Sequence, residues 1–271
     1  MTSDMLRPTE PAQRLLLNDV TMCAVSSTNV SATIEALETS LRYIDVAEAI
    51  LFTDMDLRGF GLALSDRIRL VRIDRISSSQ AYSHFILERL VDYVQTSHCL
   101  IVQWDGHVID PDRWQPEFLD YDYIGASWPQ FDDGHNVGNG GFSLRSRKLM
   151  KACRHPDFAG HHPEDVAIGR TNRHFLEKAG LRFAPANLAD NFSTERAGDP
   201  AKSFGYHGVF LMPKVLGADR FWRIYLTLDE YTSLRHDFRA LLRSLLAGEQ
   251  PFVRSFRMMR DQLPFRRRRR V

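Results

Sequence analysis

The residues with the clearest chemistry begin at an aspartate that ends an apolar run. Leu100-Ile101-Val102-Gln103-Trp104-Asp105-Gly106 reads as a buried strand that releases a carboxylate and then a glycine. An open α/β sheet presents chemistry to a ligand crevice in this way, at the carboxyl ends of its strands. A lone carboxylate there suits a hard divalent ion on phosphate, because Mg²⁺ and Mn²⁺ commonly take only one or two protein carboxylates. The plainer reading is an aspartate that caps a turn.

Three further marks follow in order. Gly138-Asn139-Gly140-Gly141 permits close approach of backbone to a ligand or, equally, a tight turn. It matches neither the Walker nor the dinucleotide fingerprint. Pro163-Glu164-Asp165-Val166 puts two carboxylates at a helix start, where they suit either a base for a sugar hydroxyl or simple capping. Phe204-Gly205-Tyr206-His207-Gly208 offers an imidazole, as a ligand or as a structural side chain. His161 and His162 are neighbours in sequence, so their rings do not converge easily on one ion. Trp104 reads as core, whereas Trp114 and Trp128 are expected to wall the site, since aromatic faces pack on sugars and bases.

These marks must be positioned by the elements around them. Apolar runs at residues 20–25, 49–52, 68–73 and 100–103 alternate with helical patterns, one begun by Asn29 or Ser31 and one by Ser77-Ser78-Ser79. That alternation predicts a mostly parallel sheet with helices on both faces. Further strands are expected at 121–126, 142–144 and 181–184, and helices at 146–153 and from Pro163. Beyond about residue 215 the pattern turns helical. The expected organisation is a disordered lead-in at 1–14, a catalytic domain at 15–215 and a helical extension at 216–271.

With 44% hydrophobic and 25% charged residues and a net charge of +1, the 271-residue chain reads as an ordinary globular protein without a field for nucleic acid. The three cysteines have no metal or disulfide spacing and are expected as buried thiols in a reducing cytoplasm. No signal pattern and no spanning run is visible.

Taken together the marks resemble GT-A type glycosyltransferases, and more narrowly a bacterial family of proposed glycosyltransferases long filed as a domain of unknown function. The resemblance rests on Ala81-Tyr82-Ser83, residues 100–106, Asp120-Tyr121-Asp122-Tyr123-Ile124-Gly125-Ala126, Gly138-Asn139-Gly140-Gly141-Phe142-Ser143-Leu144-Arg145, Pro163-Glu164-Asp165-Val166 and Phe204-Gly205-Tyr206-His207-Gly208. It implies a Rossmann-like α/β fold with a mixed, mostly parallel sheet. It implies that Gln103-Trp104-Asp105 stands where such enzymes carry D-x-D, with an amide for the first acid, a weaker partner for a hard cation. Mn²⁺ or Mg²⁺ would then rest on Asp105 and His207. Asp165 would be the base and Glu164 a contact to acceptor hydroxyls. Val25-Ser26-Ser27, Asp54, Tyr82 and Ser83 would border the nucleotide, and Gly140-Gly141-Phe142 the donor sugar.

The resulting expectation is sugar transfer from a nucleoside-diphosphate sugar to a hydroxyl of a glycan or lipid-linked acceptor, in bacterial surface polysaccharide or glycoconjugate synthesis. The rival readings are a non-catalytic sugar-nucleotide-binding module and a metal-dependent phosphoesterase or nucleotidyltransferase. The block Arg266–Arg270 behind Phe252, Phe256, Met259 and Leu263 suggests contact with an anionic membrane face, or else a solvated tail.

Overall fold

A computed structural model describes residues 13–262. The lead-in and the Arg266–Arg270 block therefore lie almost wholly outside the described residues. Six strands form the main sheet: β1 (Leu15–Val25), β2 (Ile44–Thr53), β3 (Ile68–Arg72), β4 (His98–Val102), β6 (Tyr123–Ile124) and β7 (Phe142–Ser146). Their order is β3-β2-β1-β4-β7-β6, parallel from β3 to β4 and antiparallel through β7 and β6. The expected mixed, mostly parallel α/β sheet is the one observed. A second sheet joins β5 (Gly106–Val108), β8 (Ser193–Thr194) and β9 (Gly205–His207) in the order β5-β9-β8.

Period-two alternation explains the layering. Met22, Ala24, Leu51, Leu100 and Val102 face one apolar cluster, while Cys23, Ile50, Phe52, Cys99 and Ile101 face another. Helix α1 (Val30–Tyr43) covers the first face with Ile34, Leu37 and Leu41, spaced as one helical stripe. Helix α2 (Ser79–His84), capped by Ser78, runs on into a turn whose Phe85, Ile86 and Leu90 cover the second. All three cysteines are free and buried.

Helices α3 (Arg147–Ala152), α4 (Glu164–Val166), α5 (Arg173–Lys178) and α6 (Ala186–Phe192) follow β7. The chain ends in α7 (Met212–Leu216), α8 (Ala218–Thr227), α9 (Phe238–Leu245) and α10 (Pro251–Asp261). These last four share an apolar cluster with Tyr206 and Val209, which precede them in sequence. Two expected strands differ. The run at 121–126 contributes only the two residues of β6, and 181–184 only a bridge from Phe183 to Tyr123.

Candidate functional site

The main sheet reverses direction of winding between β1 and β4, the position where open α/β sheets bind ligands. Register fixes what meets there. Val25 pairs with Phe52, and Cys23 with Ile101, so Ser26, Thr53 and Gln103 leave the sheet along one edge. On the antiparallel side Val102 pairs with Phe142, which brings Gly141 beside Gln103. The small sheet docks its own edge against this one. Gly106 pairs with His207, and Thr194 with Tyr206, so Asp105, His207 and Glu195 come together although 90 residues separate the first from the last.

His207 is the hub. Its Nε2 lies 3.5 Å from Asp105 Oδ1 and 3.3 Å from Gln103 Oε1, and its Nδ1 lies 3.3 Å from Glu195 Oε1. Burial works against its charged form, but Asp105 and Glu195 outweigh burial and hold its pKa well above the ordinary histidine value. The other oxygen of Glu195 accepts from Asn139 Nδ2, and Asn139 Oδ1 accepts from Gly141 N at 3.0 Å. Gln103 Nε2 donates to Tyr82 Oη at 2.8 Å. Burial, then the charge of Glu164, keeps the Tyr82 phenol protonated well above its usual range. The amide at 103 thus serves two neighbours, a donor toward Tyr82 and an acceptor toward His207.

A second locus lies across two glycines. Glu164 is 5% exposed and forms a buried ion pair with Arg145, 3.1 Å from Oε1 to Nη2. Its Oε2 accepts from Ser83 Oγ at 3.3 Å, and Ser83 Oγ is 3.0 Å from His162 Nδ1. Asp165 Oδ2 accepts from Gly140 N at 3.2 Å and its Oδ1 from Val166 N at 2.8 Å. Burial, then the neighbouring charge of Glu164, raises the Asp165 pKa above the ordinary aspartate value. Side chains are excluded at both glycines. A Cβ at Gly140 would overlap the Glu164 carboxylate, and one at Gly141 the His207 ring.

Asp105, Asp165 and His207 therefore flank one dipeptide, Gly140-Gly141. At the carboxyl end of β1, Ser27 Oγ accepts from Ile76 N at 2.8 Å, Ser26 N donates to Phe52 O at 3.0 Å, and Val25 is buried beside them. Asp54 Oδ1 is buried without a hydrogen-bond partner. An open cavity beyond β3 adds three arginines, Arg72, Arg75 and Arg89, close to this edge.

Some expected roles change. Glu164 has its carboxylate taken by Arg145 and Ser83, so it is a holding group rather than a free contact for acceptor hydroxyls. Phe142 is fully buried and stacks on Phe192 with ring centroids 5.3 Å apart, which leaves only its backbone to border a ligand. Trp114 lies edge-on to Phe118 and Phe204, and Trp128 is packed beneath Gly138 and Gly169, so both tryptophans serve packing rather than a site wall. Trp104 packs on the C-terminal apolar cluster. His161 and His162 turn to different partners, Thr171 and Ser83. Glu195 was not visible as a site residue. Its place follows from the two-residue strand β8, and no motif announces it.

The described residues gather no cage of three or more His, Cys, Asp and Glu side chains. What they offer is a carboxylate, an imidazole and an amide oxygen around one point. Asp105 Oδ1 is buried there without a hydrogen-bond partner at ordinary distance. That donor set fits a hard divalent cation whose other positions go to phosphate and water. A carboxylate behind the outer nitrogen of the histidine, as Glu195 stands behind His207, is the usual support for such a ligand.

Residues 67–207, just over half the chain, match the model of a family described as a protein of unknown function, DUF5672. The chain belongs to that family. No curated protein matches it. Among solved structures it is similar to the mannosyltransferase PcManGT from Pyrobaculum calidifontis, in complex with GDP-Man and Mn²⁺, at a TM-score of 0.42 and 11% identity, over 94% of this chain and 79% of that one. It is also similar to HddC from Yersinia pseudotuberculosis, at 0.37 and 14%, over 60% of this chain and 100% of that one.

Proposed function

We propose that this chain transfers a sugar from a nucleoside-diphosphate sugar to a hydroxyl acceptor. The supporting observation is the gathering of Asp105, His207 and Asp165 around Gly140-Gly141 at the switch point of the sheet. Asp165 is the base. Its carboxylate carries one backbone donor on each oxygen and keeps lone pairs for a hydroxyl proton, and its raised pKa strengthens it as an acceptor. Glu164 and Arg145 fix the start of α4 and the Gly140 carbonyl, and so hold Asp165 in place.

Ser26, Ser27 and Asp54 bind the nucleoside, with the unmatched Asp54 Oδ1 accepting from a ribose hydroxyl or a base amine. A Mn²⁺ or Mg²⁺ ion would be held by Asp105 and His207 with Gln103 Oε1, and when bound it offsets charge on the departing diphosphate. Gly140 and Gly141 let the Glu164 carboxylate and the His207 ring close in on bare backbone, and that backbone borders the donor sugar. The acceptor is a glycan or a lipid-linked glycan of bacterial surface polysaccharide or glycoconjugate synthesis, and the setting is cytoplasmic.

The test is acceptor-dependent release of nucleoside diphosphate by the purified full chain from a panel of UDP-, GDP- and dTDP-sugars with Mn²⁺. Turnover should fall at least about 100-fold in Asp105→Ala and in Asp165→Asn, as expected when a charge-stabilising or proton-accepting group is removed. Rates within twofold of wild type in both variants would overturn these roles. Donor binding without turnover across the acceptor panel would favour a binding module instead.

A further inference from the structure

Eight large apolar side chains are exposed among the described residues, and five of them lie in residues 246–259: Leu246, Phe252, Val253, Phe256 and Met259. Phe252, Phe256 and Met259 are 82%, 67% and 46% exposed and spaced i, i+4, i+7, so they form one stripe along α10. Leu263 continues the same spacing in sequence, outside the described residues. The opposite face of α10 is anchored. Met258 is buried in the C-terminal cluster, and Arg254 is buried against Asp219 and over the Trp222 ring. The helix is thus held by one side and offers an apolar side to its surroundings.

The charge around that stripe is predominantly positive, with Asp261 paired to Arg257 and Arg260. From residue 235 to 271 there are eleven arginines and three carboxylates, in a chain whose net charge is +1. Arg260 on α10 and Arg239 and Arg243 on α9, the helix packed against it, are exposed, and Arg266–Arg270 follow in sequence. A second copy of the chain docking the same face by two-fold symmetry would set arginines against arginines. An anionic lipid surface satisfies both features at once, because apolar side chains enter the acyl boundary while cations meet headgroup phosphates.

We propose that α10 lies in the plane of an anionic phospholipid surface, with Phe252, Phe256 and Met259 inserted and the arginines on the headgroups. The inference does not depend on the transferase reading. No helix among the described residues is long and apolar enough to cross a bilayer, so this contact is one of lying on the surface.

The experiment is co-sedimentation of the full chain with vesicles of phosphatidylcholine alone and of phosphatidylcholine with about one-quarter phosphatidylglycerol, where each basic side chain adds to affinity. Strong binding to the anionic vesicles alone is expected, weakened by salt. The triple variant Phe252→Ser, Phe256→Ser, Met259→Ser should bind at least about tenfold more weakly at an unchanged unfolding midpoint, since surface substitutions seldom alter stability. Arg266→Ala through Arg270→Ala should also weaken binding and flatten its salt dependence. As an independent readout, a fluorophore on Phe252→Cys should shift to the blue with anionic vesicles and not with neutral ones.

The proposal fails if the triple variant binds like wild type, if the fluorophore does not respond, or if neutral and anionic vesicles bind alike. It also fails if wild type is a dimer that the triple variant dissolves while vesicle binding stays the same.

Discussion

Glu164 and Asp105 are carboxylates of nearly equal burial, 5% and 7% exposed, on opposite sides of Gly140-Gly141. Glu164 is matched by the chain itself, through Arg145 and Ser83. Asp105 is matched more loosely: its Oδ1 has no hydrogen-bond partner at ordinary distance and lies 3.5 Å from the Nε2 of His207, whose protonated form it favours. A buried ionised group without full partners is costly, and folds keep such groups where something else completes them. The first locus is closed by its own partners, and the second keeps a buried oxygen without a hydrogen bond.

The largest expected effect breaks the matched side. Arg145→Met leaves Glu164 buried without a counter-charge and should cost about 3–5 kcal/mol in urea unfolding, the usual cost of halving a buried pair. Adding Glu164→Gln should recover a good part of it. A loss under about 1 kcal/mol in the single variant would mean that Glu164 is not held as described.

A buried neutral group sharpens the contrast. His98 is held with Ser97 at Nδ1 and the Tyr121 carbonyl near Nε2, and burial lowers its pKa from 6.5. The unfolded chain therefore takes up a proton at a pH where the folded one does not. Stability from this residue is complete above about pH 6.5 and is lost as pH falls below it. His98→Asn should remove that part of the acid slope, read from unfolding midpoints at pH 5 and 7.5.

The smallest effect is expected where the comparison is most exposed to refutation. Asp105→Asn removes one of the two carboxylates that hold the protonated His207 ring and leaves Glu195 in place, so the loss of stability should stay below about 1 kcal/mol. A loss as large as that of Arg145→Met would show that the two loci are alike after all.

The parts of this arrangement that the sequence displays are those with a periodic or compositional signature. The run at 99–102 is apolar because β4 is buried on both faces, and Asp105 follows three residues after its end. Gly140 and Gly141 stand out because no Cβ fits there, and Pro163 marks the entry to α4. The small sheet carries no such signature. Strands β5, β8 and β9 span two or three residues, too few for alternation to register, so Glu195 stays hidden behind pairing between segments distant in sequence. Aromatic residues mislead for the same reason. Trp114 and Trp128 lie in irregular segments, where composition does not tell the inside from the outside. Arg145 belongs to a β-strand whose neighbours are apolar, and only the position of Glu164 in space explains its burial.

One side chain ties the two ends of the molecule together. Asn29, just past the end of β1, accepts from the backbone amides of Asp229 and Glu230 and donates to the carbonyl of Glu230. Cutting the chain before α8 would strand those bonds and uncover Tyr206, next to His207, on the strand that carries it. The C-terminal helices are thus a brace for the strand that carries His207, and a shortened chain that lacks them would forfeit the geometry of that histidine before it lost its sheet.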